Sequence, residues 1–171
     1  MAWTSPRTWT TGELVTAALM NTHLRDNLKA IGDPWTAYTP VLTASTTNPT
    51  LGSGSVATGR YLKAGRDVRG TFDITFGSSG VAAGSGTYRI SVPTNIYSSW
   101  PSRAPVGRAY VFDSSGSASG WFDLMSDYTH FRIRYPSTWP TGTATEVGAA
   151  VPWTWAAGDI IRGSFCYEAQ S

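Results

Sequence analysis

The sequence predicts a mainly β protein: an antiparallel β-sandwich of jelly-roll kind, preceded by one N-terminal α-helix. Three observations lead there. The 171 residues include 23 Thr, 19 Ser, 18 Gly and eight Trp, against two Lys and three Glu. Lys and Glu fill helix surfaces, whereas Thr, Tyr, Trp and Val broken by Gly, Pro and Ser suit short strands. Apolar residues from Trp35 onward recur with a period of two. A stretch free of Gly and Pro and rich in Ala, Leu and Met, Ala17 to Ile31, stands near the N-terminus. Hydrophobic residues make up 41% of the chain, enough for a core. The length fits one domain with an appendage: an arm and helix over 1–34 and a β head over 35–171.

The helix is expected from Leu14 to Ile31, about five turns. Thr10 and Glu13 have capping-box spacing, and Thr16 is a second possible start. Gly32-Asp33-Pro34 is a stop signal. Leu14, Ala17, Asn21, Leu24, Leu28 and Ile31 are spaced 3, 4, 3, 4, 3, which is a heptad seam with Asn21 at an a position. A polar a residue costs stability and fixes register and oligomer state. The seam therefore reads as an oligomerisation surface, since so short a helix is marginal alone. The alternative is a helix that lays this stripe on its own β domain.

The strands follow in order. Trp35 to Thr43 is an extended lead-in, and 44–55 a Ser/Thr/Asn/Gly loop. Val56 to Lys63 runs to a turn at Ala64-Gly65. Asp67 to Gly77 alternates Val68, Gly70, Phe72, Ile74 and Phe76 against polar residues. Tyr88, Ile90 and Val92 mark the next strand, then Val106 to Asp113. Trp121 to Met125 and Thr129 to Tyr135 read as a hairpin across Ser126-Asp127, with Trp121 in the core. Asp159 to Glu168 closes the series at about eight strands.

Chemistry is sparse, and the protein reads as no enzyme, with no catalytic, cofactor or metal residues. Cys166 stands alone, and His23 and His130 lack any ligand or triad spacing. Asp123, Asp127, Glu146, Asp159 and Glu168 form no marked acid/base pair and read as exposed strand ends. A Ca²⁺ site on loop carbonyls with Asp113 or Asp127 is the one metal alternative. Arg60, Lys63, Arg66 and Arg69 gather round one hairpin as a solvated, aggregation-resisting edge. A net charge of +2 gives no expectation of nucleic-acid binding. No apolar run suits a membrane span, and the first residues do not read as a secretory signal. Trp3, Trp9 and Trp35 flank the helix and suggest docking, Trp3 and Trp9 as anchors to a larger particle. Trp100 and Trp139 stand in Pro-rich loops, where they could stack on a receptor glycan or plug the core ends.

The segment from Thr8-Trp9-Thr10-Thr11-Gly12-Glu13-Leu14 through Asn21-Thr22-His23-Leu24-Arg25-Asp26-Asn27-Leu28 resembles the N-terminus of small tail-associated proteins of phages of actinobacteria. Trp35 to Thr43, Gly59-Arg60-Tyr61 and Gly70-Thr71-Phe72 are similar to the β domain that follows it there. The resemblance implies a virion structural protein: a homotrimeric tail fibre, spike or minor tail protein that contacts other virion proteins and a host-surface glycan. A capsid decoration or head fibre is the first alternative, and a small cell-wall glycan hydrolase the second.

Overall fold

A computed structural model describes residues 4–32, 34–116, 119–135 and 145–170. Trp3 and Trp139 lie outside them.

The helix is shorter than expected. It runs as α over Ala17–Met20, as one π turn over Asn21–Arg25 and again as α over Asp26–Gly32, together α1. Thr16 is its N-cap, the hydroxyl accepting from Leu19 N–H at 3.3 Å. The Thr10–Glu13 pair makes a separate turn instead. Glu13 N–H donates to Thr10 C=O at 3.1 Å, and Gly12 sits at φ +80°, which no helix admits. The Glu13 carboxylate still reaches back to Thr10 N–H at 3.3 Å, half of the expected capping box. In the π turn Asp26 N–H donates to Asn21 C=O, five residues back. A turn that takes about one extra residue displaces all that follow by roughly 100° round the axis. The 3-4-3-4 seam is therefore not one straight stripe. Leu14 precedes the helix, and Leu24, Leu28 and Ile31 are rotated away from Ala17.

Among the described residues ten strands follow: β1 (Thr36–Tyr38), β2 (Leu42–Ala44), β3 (Val56–Ala64), β4 (Asp67–Thr75), β5 (Tyr88–Ser91), β6 (Pro105–Phe112), β7 (Ser119–Asp127), β8 (His130–Tyr135), β9 (Thr145–Glu146) and β10 (Ile160–Glu168). All pairings are antiparallel, in the order β1-β3-β4-β10-β6-β7-β8-β5-β2, with β9 on β8. The expectation of a mainly antiparallel β head holds. The strands nevertheless form one curled sheet, because β10 is paired along both sides, with β4 and with β6, and so joins what would be two layers. The curl goes nearly full circle. The outermost strands β1 and β2 are linked by only Thr39, Pro40 and Val41, a span of about 14 Å at most. The β7/β8 hairpin turns at Tyr128-Thr129, with Tyr128 at φ +51°, not at Ser126-Asp127.

The core is what the sheet curls around. Phe72 on β4 stacks with Phe131 on β8 at 6.3 Å between ring centres, although three strands separate them in the ladder. Phe165 and Tyr167 on β10 meet Phe131 at 4.9 and 5.8 Å. Glycines on neighbouring strands make room: a Cβ at Gly70 would run into the Phe165 ring, and one at Gly163 into Phe72. At one end Trp155 lies buried between Phe76 and Tyr88, its Nε1–H donating to Gly148 C=O at 2.9 Å. Asp159, expected to be exposed, is fully buried there. It accepts from Ser114 N–H and Oγ–H, Trp153 Nε1–H and Ala156 N–H at 2.9–3.1 Å, which meets the need of a buried carboxylate. The Ser/Thr/Gly loops 44–55 and 78–86 zip together through the bridges Thr47–Ser85, Thr50–Ala82 and Ser53–Ser79.

Candidate interaction surfaces

The first surface is the helix. Residues 4–13 fold back on one side of it. Asn27 is buried, with Oδ1 accepting from Thr4 N–H at 3.0 Å and Nδ2 donating to Thr4 C=O at 2.8 Å and to His23 C=O at 3.2 Å. The side-chain amide thus acts as a rung of a β-ladder for the arm. Trp9 packs edge-on to His23 at 6.4 Å, Arg7 lies over Trp9 at 5.4 Å, and Arg7 also pairs with Glu13. Trp9, expected to be an anchor, is therefore partly committed within the chain. Ala30 is buried where the end of the helix meets β3.

The other side is uncovered. Met20, Leu24, Leu28 (67%) and Ile31 (56%) are exposed, as are Leu14 (80%) and Val15 just before the helix. Of the expected seam, Leu14, Ala17, Leu24, Leu28 and Ile31 face solvent, and Asn21 is half-buried. Burying a leucine or isoleucine side chain is worth about 1.5–3 kcal/mol, so this row forgoes several kcal/mol in a lone chain. The own-domain alternative for the helix holds only at its end, where Ala30, a residue outside the heptad seam, is buried; Asn27 is buried against the arm.

The second surface is the outer face of the sheet. Two cross-strand rows point away from the core, one through Thr58, Asp73, Arg162, Tyr110 and Trp121, the other through Arg60, Thr71, Ser164, Arg108 and Asp123. Trp121, expected in the core, is 65% exposed. It shares parity with Asp123, whereas Leu124 and Ser126 face inward. Its ring meets Tyr110 at 5.2 Å and 51°. Arg162 Nε–H donates to Asp73 Oδ2 at 2.6 Å. Short side chains on β4 and β10 between bulky ones on β3 and β7 leave a trough of about 630 Å³. Sequence reasoning missed this surface, although strict period-two reading places Trp121 and Arg162 outward.

The remaining expected residues are engaged locally. Trp100 is half-buried against the core, and its Nε1–H is buried without a partner among the described residues. It plugs the core edge. The basic hairpin cluster is largely partnered: Arg66 with Glu168 at 3.0 Å and over the Tyr97 ring at 4.1 Å, Arg69 with Asp67 at 3.5 Å, and Arg60 over Trp35 at 5.2 Å. A hydrogen bond to Ser99, together with Arg66, holds Tyr97 below the ordinary phenol pKa. Asp127 and Glu146 clamp Arg132, with contacts of 2.7 and 3.2 Å. The Asp113 carboxylate accepts from Ser115 N–H at 2.9 Å. Burial, with Arg89 nearby, holds His130 below its ordinary pKa, and its Nδ1 shares a 2.8 Å bond with Thr129 Oγ1. Among the described residues no three His, Cys, Asp or Glu gather to hold a metal ion, and no helix is long and apolar enough to cross a membrane. No family model, curated protein or solved structure matches the chain.

Proposed function

We propose that the protein is a non-enzymatic virion subunit of a phage tail, assembled as a homotrimer, with the curled β sheet as a head that contacts the host surface. One observation carries the assembly part of this reading: the apolar row Met20, Leu24, Leu28 and Ile31 left open on a helix whose opposite side is already covered. Three copies packed on that row recover the burial that one copy forgoes. The resemblance of Thr8–Leu28 to tail-associated proteins supports both the trimer and the place on the particle. Trimerisation also gives avidity, so weak attachment by each head adds up to useful adhesion.

Light scattering on the eluting protein tests the assembly. The expected mass is that of three 18.4-kDa chains, and Leu24→Glu with Leu28→Glu reduces it to one. A wild-type monomer at micromolar concentration overturns the reading. Antibody labelling of particles tests the place, with label on the tail expected and label on the capsid contradicting it.

A further inference from the structure

We propose that the trough on the outer face of the sheet is a saccharide-binding site with Trp121 as its stacking platform. The inference rests on the reading of the β head as the host-facing part of the subunit, and it names where on that head the glycan sits.

Four features of the trough support it. Trp121 places an indole in solvent on a strand whose inward positions Leu124 and Ser126 are buried, so the ring is not needed for the core. The Tyr110 ring beside it braces it on a rigid strand, and a pre-oriented aromatic loses little freedom when a ligand lands on it. The floor is hydroxyl-rich and short: Thr58, Thr71 and Ser164. Asp73 and Arg162 add strong acceptors and donors there, and as a pair they carry no net charge. The volume, about 630 Å³, falls within the range of small-ligand clefts, roughly 300–1,000 Å³.

A sugar ring has one apolar C–H face and a rim of hydroxyls that both donate and accept. An indole wall beside a lining of hydroxyls, the Asp73 carboxylate and the Arg60 and Arg162 guanidiniums complements both parts. A purely apolar ligand would desolvate the Asp73–Arg162 ion pair without replacing its water.

The test is an array of neutral oligosaccharides covering hexose, N-acetylhexosamine and pentose series. The proteins are full-length wild type, Trp121→Ala, Ser164→Arg and Trp100→Ala, each also weighed by light scattering. Wild type is expected to bind at least one series. Trp121→Ala and Ser164→Arg, which respectively remove the platform and fill the floor, lose about tenfold or more in affinity. Trp100→Ala binds as wild type, and every variant keeps the wild-type mass. Absence of binding to every series overturns the site, as does binding unchanged in both trough variants. A changed mass in Trp121→Ala also overturns it, because the trough is then a contact between copies. A trimer that binds no sugar refutes this site alone, whereas a monomer refutes the assembly reading whatever the array gives.

Discussion

Replacing Asp159 by asparagine keeps its shape and removes its charge and one acceptor. The native carboxylate, fully buried, accepts four hydrogen bonds. Bonds to a charged group are worth about 1.5–3 kcal/mol each, but only where water cannot replace them. Ser114 and Ala156 reach solvent, so water recovers much of their share. Trp153 Nε1–H is half-buried and recovers less. The net cost is about 2 kcal/mol for Asp159→Asn, which turns an amide NH₂ toward N–H donors, and about 3 kcal/mol for Asp159→Ala. For a chain of this size the alanine loss lowers Tm by roughly 6–12 °C. Thermal and urea unfolding at matched protein concentration measure it, since assembly makes stability depend on concentration. Trp153 and Trp155 lie 5.3 Å apart beside the site, so their fluorescence reports the same end of the core. An Asp159→Asn variant within about 0.5 kcal/mol of wild type would refute the account, because the four bonds would then not hold that end of the fold.

Three further outcomes are expected. Gly107→Ala drives a Cβ into the Ser164 carbonyl oxygen on the central strand β10, and backbone cannot yield as a side chain can. It lowers stability by about 3 kcal/mol or more in urea unfolding, and an unchanged midpoint contradicts the β6–β10 register. Asn27→Ala removes both hydrogen bonds that tie Thr4 of the arm to the helix, so trypsin cuts after Arg7 faster than in wild type while the β-sheet circular dichroism stays constant; equal cleavage rates contradict the Asn27 rung. Burial, aided by Tyr167 at Tyr38 and by Asp159 at Tyr88, raises both phenol pKa values, and burial raises that of Tyr167 as well. A raised folded pKa stabilises below the unfolded value and loses that contribution as pH rises. Stability therefore falls above about pH 10, and the phenolate absorbance of Tyr38, Tyr88 and Tyr167 appears together with unfolding, whereas Tyr97 ionises earlier. Full phenolate absorbance in a still-folded protein contradicts this burial.

Much of the fold is legible in the sequence because burial on a strand follows parity. Val68, Phe72, Ile74 and Phe76 alternate, and all are buried. Trp121 shows where the reading slipped: judged by size it belongs inside, judged by parity with Asp123 it belongs outside, and parity prevails. The single curled sheet is not legible, since β10, last in the chain, inserts between β4 and β6, and only long-range pairing decides that. The π turn leaves no composition signal either, yet it decides which residues line the open face of the helix. Asp159 is hidden for the same reason as the curl, because its donors Ser114 and Trp153 come from separate segments. The outer trough needs its strands in register before Arg162, Asp73 and Trp121 become neighbours.

The central claim is that the open row on α1 is closed by copies of the same chain. Sedimentation equilibrium of the full chain at micromolar concentration tests it most directly. A mass of three 18.4-kDa chains, falling to one chain when Leu24 and Leu28 are both changed to Glu, is the expected result. A wild-type monomer, or a trimer indifferent to those two substitutions, contradicts it.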